Sequence, residues 1–279
     1  MNDYLWIDGN ISALRADMPI RFAHHRSPDR AENHQLHLNN HMEIYFFISG
    51  NHKYIVENNV YALKPGDAIL INPRQVHKAL PMDEGMYERF YFLLSDQALS
   101  GLQKDPLKSL LRRRGNLVSF PEPVRQQVMD MLYGISRCFQ NGENDQLRAL
   151  GLFLSILAEL KRYGSLEDTQ SRTAHTPELL RRILTYVDSH TAAIQTTAEV
   201  AAALNVSPQY LSGYFSRHIG TPLKTYIQAK KIGLAKELLS QGADVTSTCF
   251  DCGFNDCSYF IRIFKKYVGV TPLVYKQQS

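Results

Sequence analysis

Two stretches near the end of the chain constrain its fold more than anything else in it: FSRHIGTPLKTY (Phe215 to Tyr226) and FKKYVGVTPLVY (Phe264 to Tyr275). Each runs from Phe through Gly to Tyr, with Thr-Pro-Leu between the Gly and the Tyr, and the phenylalanines lie 49 residues apart. A repeat at a fixed offset marks one supersecondary unit used twice. Read backwards from Phe215, TTAEVAAALNVSPQYLSGYF suits a short helix around Val200, Ala201 and Leu204, then a turn at Asn205-Val206. Ser207 caps a second helix whose Leu211 and Phe215 face inward. VTSTCFDCGFNDCSYFIRIF repeats the plan: Cys249 stands for Ala201, Gly253-Phe254 for the turn, and Phe260 and Phe264 for the inward pair, with one extra residue in the turn. These are the parts of a helix-turn-helix. Residues 224–240 read as one connecting helix, with Gly233 its weak point.

Charge follows the same division. The chain of 279 residues is net +4, yet residues 172–279 hold 12 Lys/Arg against 7 Asp/Glu, leaving residues 1–171 with 19 against 20. A positive excess confined to one end suits a polyanionic partner, and also an ordinary solvated surface. With 44% apolar residues the chain can bury a sizeable core. It has no basic leader before an apolar run and no stretch of roughly 18 apolar residues, so the expectation is a cytoplasmic protein without a membrane partner. Cys249, Cys252 and Cys257 read as reduced thiols rather than a disulfide framework. No Ser/His/Asp or Cys/His arrangement, phosphate loop or carboxylate pair stands out, so neither catalytic residues nor a cofactor is expected.

The first half reads differently. MEIYFFIS (42–49), HKYIVE (52–57), DAILIN (67–72) and ERFYFLL (88–94) are strand-like runs separated by turn signals, which argues for a barrel or sandwich. From about 122 the period becomes helical: Val124, Val128, Met131, Leu132, Ile135 and Phe139, then Leu147, Leu150, Phe153, Leu154, Leu157 and Leu160. This helical hairpin serves either its own domain or a homodimer through residues 122–163. Residues 164–176 have linker composition, and Thr176-Pro177-Glu178 signals a new helix start. The expected class is α+β in two domains. Residues 1–110 form a β-barrel, 111–163 the hairpin, 164–176 the linker and 177–279 an all-α pair of helix-turn-helix units.

The double motif resembles the AraC/XylS family of bacterial transcription regulators across residues 177–279, best in GFNDCSYFIRIFKKYVGVTPLVY. The resemblance implies double-stranded DNA as partner, read by two helices in successive major grooves. Positions that the core does not need would face the groove: Gln209, Ser212, Gly213, Ser216 and Arg217 in the first unit, and Asp256, Cys257, Ser258, Ile261, Arg262, Lys265 and Lys266 in the second. Arg262 is the preferred base reader, because Arg to guanine is the commonest specific contact. Lys265, Lys266 and Arg217 suit phosphates. Family members often carry Arg where this chain has Gly213.

Residues 41–79 resemble the cupin-type sensor half that many members of the family carry, through His41-x-Glu43, the Gly50 turn, LKPGDAILINP and His77. The resemblance implies a small-molecule effector, often a sugar or related metabolite. Arg21, His24, His25, His41, Tyr45, Tyr54, His77 and Tyr91 are the candidates to contact it. His37, His41, Glu43 and His77 form an incomplete cupin ligand set, since Tyr45 and Phe46 stand where a further carboxylate belongs, so no metal is expected. The competing readings are a metal-dependent cupin enzyme with a nucleic-acid-binding tail, and an all-helical partner-binding module at 177–279.

Overall fold

The computed structural model describes residues 5–12, 20–28, 36–37, 39, 41–73, 75–94, 115–140, 144–164 and 177–278. The linker reading and Thr176 therefore lie outside the described residues, apart from Gly164, which ends a helix.

Among the described residues the first half is built from two antiparallel sheets. One has the order β1 (Leu5–Ile11), β2 (Ile20–Pro28), β8 (Met86–Leu94), β3 (Met42–Ser49), β6 (Ala68–Ile71) and β9 (Leu117–Val118). The other has the order β5 (Asn59–Ala62), β4 (His52–Val56) and β7 (His77–Pro81). The sheets face each other around Tyr45, Phe47, Ile69 and Ile71 from one and Tyr54, Val56, Tyr61 and Ala79 from the other. β9 lies beyond residue 110 and pairs with β6, so the larger sheet takes in a strand from the segment assigned to the hairpin.

The hairpin consists of α1 (Val124–Arg137) and α2 (Gln146–Gly164). Val128, Leu132, Ile135, Phe153, Ile156 and Leu160 pack on the outer face of the larger sheet, against Phe22, Phe90 and Phe92. β3 is therefore covered on both faces, which is why MEIYFFIS is buried along almost its whole length instead of alternating. Leu147 departs from the stripe that its spacing suggested: it is 77% exposed, and Leu154 is 39% exposed.

The second half holds α3 (Glu178–His190), α4 (Thr197–Ala203), α5 (Pro208–Ile219), α6 (Leu223–Ser240), α7 (Val245–Asp251), α8 (Cys257–Val268) and α9 (Pro272–Gln278). Pro177 takes the cap position of α3 rather than its first turn. In the two units the turns match atom for atom. Val206 N donates to Ala201 O and Phe254 N to Cys249 O, each at 3.0 Å, with Asn205 and Gly253 both left-handed. Ser207 and Asp256 cap the second helices through their side chains. The extra residue is Asn255, whose amide donates to Gln195 Oε1 at 3.0 Å.

The repeated Phe–Gly–Tyr has a packing reason. Gly220 and Gly269 end α5 and α8 in the left-handed conformation, which reverses the chain. The returning Tyr then meets the Phe it started from: Phe215–Tyr226 ring centroids are 5.4 Å apart and Phe264–Tyr275 5.5 Å. Each unit thus buttresses its outer helix from behind.

Candidate DNA interface and ligand chamber

Because Leu211, Phe215 and Ile219 bury one side of α5, the opposite side is left outward, and Gln209, Ser212, Gly213 and Arg217 are exposed there, with Ser216 half-buried. On α8, Phe260 and Phe264 point inward while Ser258, Ile261, Arg262, Lys265 and Lys266 are exposed. The Arg262 guanidinium lies 5.3 Å from the Tyr259 ring centroid, and Tyr259 in turn receives a hydrogen bond from Gln228 on α6. Asp256 is committed as the cap of α8, accepting from Ser258 N at 2.7 Å. Cys257 is half-buried against the core rather than presented outward. Burial, with a hydrogen bond to Cys257, pushes the Cys249 thiol up to about 12, and burial does the same for Cys252. Both stay protonated, and neither is joined in a disulfide among the described residues.

A contact that spacing did not suggest braces the second unit. Lys231 on α6 donates to Gly253 O at 2.6 Å and lies 5.5 Å from the Phe254 ring centroid, so a charged side chain ties the turn to the connecting helix.

Strand alternation sorts the effector candidates. Tyr45, Tyr54 and His77 come together between the sheets: Tyr45 and Tyr54 rings lie 4.6 Å apart, and Tyr54 stacks toward His77 at 6.4 Å. Burial raises both phenols well above their ordinary range, so they remain hydroxyl groups. His24 does not belong with them. It faces the hairpin, with its ring nitrogens 2.8 Å from Ser136 Oγ and from Glu88 Oε1. His25 stacks on Trp6 at 3.5 Å and pairs with Asp8 at 3.1 Å. His41 is exposed at the bend before β3. Arg21 and Tyr91 line a separate cleft of about 150 Å³ with Asp8 and Asn10.

Residues two apart on a strand share a face, so Tyr91 points also to Tyr87 and Arg89, which are not among the effector candidates. Tyr87 OH lies 2.5 Å from Tyr45 OH, and His52 stacks on the Tyr87 ring at 4.0 Å. Arg89 lies 5.1 Å from the Tyr87 ring centroid and 5.9 Å from that of Tyr91, and its buried Nε has no hydrogen-bond partner. Burial works against the charge of Arg89, but its Nη1 donates to Tyr87 OH at 3.4 Å and the guanidinium stays charged.

The two halves meet through this sheet. Lys78, next to the inward His77, donates to Gly220 O at 2.7 Å and to Thr221 Oγ1 at 3.0 Å, at the end of α5. Glu57, in the β4–β5 turn, accepts from Tyr226 OH through its backbone oxygen at 2.9 Å and pairs with Lys230, which also reaches Asp188 at 2.7 Å. Glu57 Oε1 also accepts from Val76 N at 2.6 Å. Around these polar contacts Leu36, Ile55, Val60, Val76 and Leu80 join the core of the helical half. Glu57→Ala is expected to weaken this junction by about 1–3 kcal/mol, because it takes one of two carboxylates from a largely buried ammonium and strands the Val76 backbone N–H. Calorimetry should then split one cooperative unfolding transition into two.

Comparison with known proteins matches this geometry. Residues 19–157 match the model of an AraC-like ligand binding domain, and residues 200–278 that of a helix-turn-helix domain; together they span most of the chain. The chain belongs to the AraC/XylS family of transcription regulators. It is similar to the uncharacterized HTH-type transcriptional regulator YbfI of Bacillus subtilis, with 25% identity over 79% of this chain and 80% of that one. It is also similar to the arabinose operon regulatory protein of Salmonella typhimurium, with 26% identity over 78% of each. Among solved structures, ToxT from Vibrio cholerae aligns at 17% identity over 92% of this chain and 98% of its own, with a TM-score of 0.37. The Bacillus subtilis and Salmonella typhimurium relatives are named as regulators rather than enzymes, against the cupin-enzyme reading. No helix among the described residues of the regulator is long and apolar enough to cross a membrane.

Proposed function

We propose that this regulator grips one face of duplex DNA with α5 and α8 in successive major grooves, and that a small anionic metabolite between the sheets sets its activity. The observation that carries the DNA reading is the pair of matching units joined through α6. At 18 residues, and roughly 1.5 Å per residue, this helix is about 27 Å long, comparable to the groove repeat of about 34 Å. Arg262 reads a base, held by Tyr259; Lys265, Lys266 and Arg217 bind phosphates; Gln209, Ser212 and Ser216 supply the first unit's contacts, weakened at Gly213. Arg262→Ala should lose about 1–3 kcal/mol on the cognate site and relax preference at one base pair. Lys265→Ala should weaken all sequences alike and flatten the salt slope by about one. Equal loss on cognate and random DNA for Arg262→Ala would assign that residue to phosphate instead.

The effector reading rests on Arg89. A half-buried Arg89 whose buried Nε is an unused donor, among Tyr45, Tyr54 and Tyr87, suits a sugar-derived acid: rings stack on the sugar, hydroxyls bond it, and Arg89 takes the carboxylate. A metabolite there can act on DNA binding only by favouring one arrangement of the halves. Lys78 and Glu57 are the contacts it would bias. Sugar acids should raise the thermal midpoint of the wild type and leave that of Arg89→Met unmoved. We also assign a homodimer to the outward face of α2, where Leu147, Gly151 and Leu154 are left uncovered, and place the protein in the cytoplasm. A concentration-independent monomer by sedimentation would remove the dimer.

A further inference from the structure

His37, Glu43 and His77 bring two imidazoles and a carboxylate together, with one candidate ligand atom from each lying within 4.8 Å of the others. Their placement is built into the backbone. His37 and His77 exchange both main-chain hydrogen bonds, at 3.2 and 3.0 Å, which brings their rings to 4.2 Å. His77 is fully buried, and its Nδ1 lies 2.8 Å from Gln75 O. A carbonyl only accepts, so Nδ1 carries the hydrogen and Nε2 of the neutral ring carries a lone pair. That lone pair lies 3.3 Å from Glu43 Oε2, not aligned as a hydrogen bond, and Nε2 has no other partner. With His77 in that neutral form two acceptors confront each other in a buried place, which calls for a cation between them, either a proton or a metal ion.

The surroundings are those of ligands held in place. Asn39 Nδ2 donates to Glu43 Oε2 at 2.6 Å, and the Gln75 carbonyl fixes the tautomer and tilt of His77. Such outer contacts orient metal-bound carboxylates and imidazoles and set which nitrogen coordinates.

The geometry points to a divalent transition-metal site formed by His37, Glu43 and His77. Two nitrogens and one oxygen suit Zn²⁺, Co²⁺ or Ni²⁺, not the all-oxygen shells of Ca²⁺ or Mg²⁺. Three protein ligands leave a position for water or for an oxygen of a bound molecule. His37 is the exposed member, so the ion has access from solvent. Sequence spacing left the set incomplete because Tyr45 and Phe46 stand where a further carboxylate belongs; the group that forms is His37, Glu43 and His77, with His37 brought to His77 by their backbone pairing.

The test uses the full chain, stripped with chelator and titrated with Co²⁺, then Zn²⁺. The site predicts saturable one-to-one Co²⁺ binding with ligand-field bands, no sulfur-to-cobalt charge transfer, and displacement by Zn²⁺. His37→Gln, at an exposed position, and Glu43→Gln should each weaken Co²⁺ about 100-fold or more while the circular dichroism stays wild-type. A proton alone between His77 and Glu43 would give no saturable binding. That result, a thiolate band, or wild-type affinity in a folded His37→Gln would each overturn the site. Neither DNA nor effector enters the readout, so it stands or falls apart from the regulatory reading.

Discussion

Replacing Gly253 by alanine is expected to unfold the second helix-turn-helix and abolish DNA binding, while the sheet half keeps its fold. Gly253 sits at φ +75, which costs an L side chain about 1–2 kcal/mol, and any Cβ there would run into the backbone carbonyl of Ala192. The carbonyl belongs to the chain just after α3, so neither partner can yield without moving a helix. Lys231, bound to Gly253 O, would be displaced as well. A loss of about 3 kcal/mol or more follows. Asn205 is the internal control. It occupies the same turn position at φ +56, as a residue type that tolerates this conformation. Asn205→Gly should therefore change stability by no more than a few tenths of a kcal/mol, whereas Gly253→Asn should fail like Gly253→Ala. Chemical denaturation together with operator binding checks all three. Wild-type stability in Gly253→Ala would refute the close approach of these two backbones.

Phe215→Ala should destabilise the first unit by about 3–5 kcal/mol, the range for truncating a fully buried aromatic. The damage should spread further than the core. Phe215 backs Tyr226, whose hydroxyl donates to the Glu57 carbonyl, so the truncation loosens the contact between the halves as well as the seat of α5. Phe264→Ala leaves a cavity of similar size beside Tyr275, in the second unit rather than beside the Tyr226–Glu57 contact. Both variants should lose DNA affinity, yet only Phe215→Ala should also broaden the calorimetric transition. Equal behaviour would mean that the Tyr226–Glu57 contact transmits nothing.

The helical half was legible because its signals are local. Left-handed turn residues, side-chain caps and the Phe–Gly–Tyr return act within one unit, and the two copies check each other; α6 emerged nearly as drawn, over Leu223–Ser240. Four strands were also found close to their observed bounds. The cluster between the sheets is legible only in part: Tyr45, Tyr54 and His77 meet there, but His24 lies against the hairpin, and Arg89 beside Tyr87 was not among the candidates. Alternation says which residues share a face; it does not say which face looks inward when both are covered, as in β3.

By itself, then, the sequence determined a two-part regulator with twin helix-turn-helix units, since those elements are specified by residues close together in the chain. Only the tertiary structure decided that the hairpin's stripe covers the sheet, that Glu57 and Lys78 join the halves, and that His37 meets His77. Each of those depends on partners distant in sequence, and many partners satisfy the same local pattern. Packing chooses among them by which arrangement buries the apolar faces and leaves the fewest polar groups stranded.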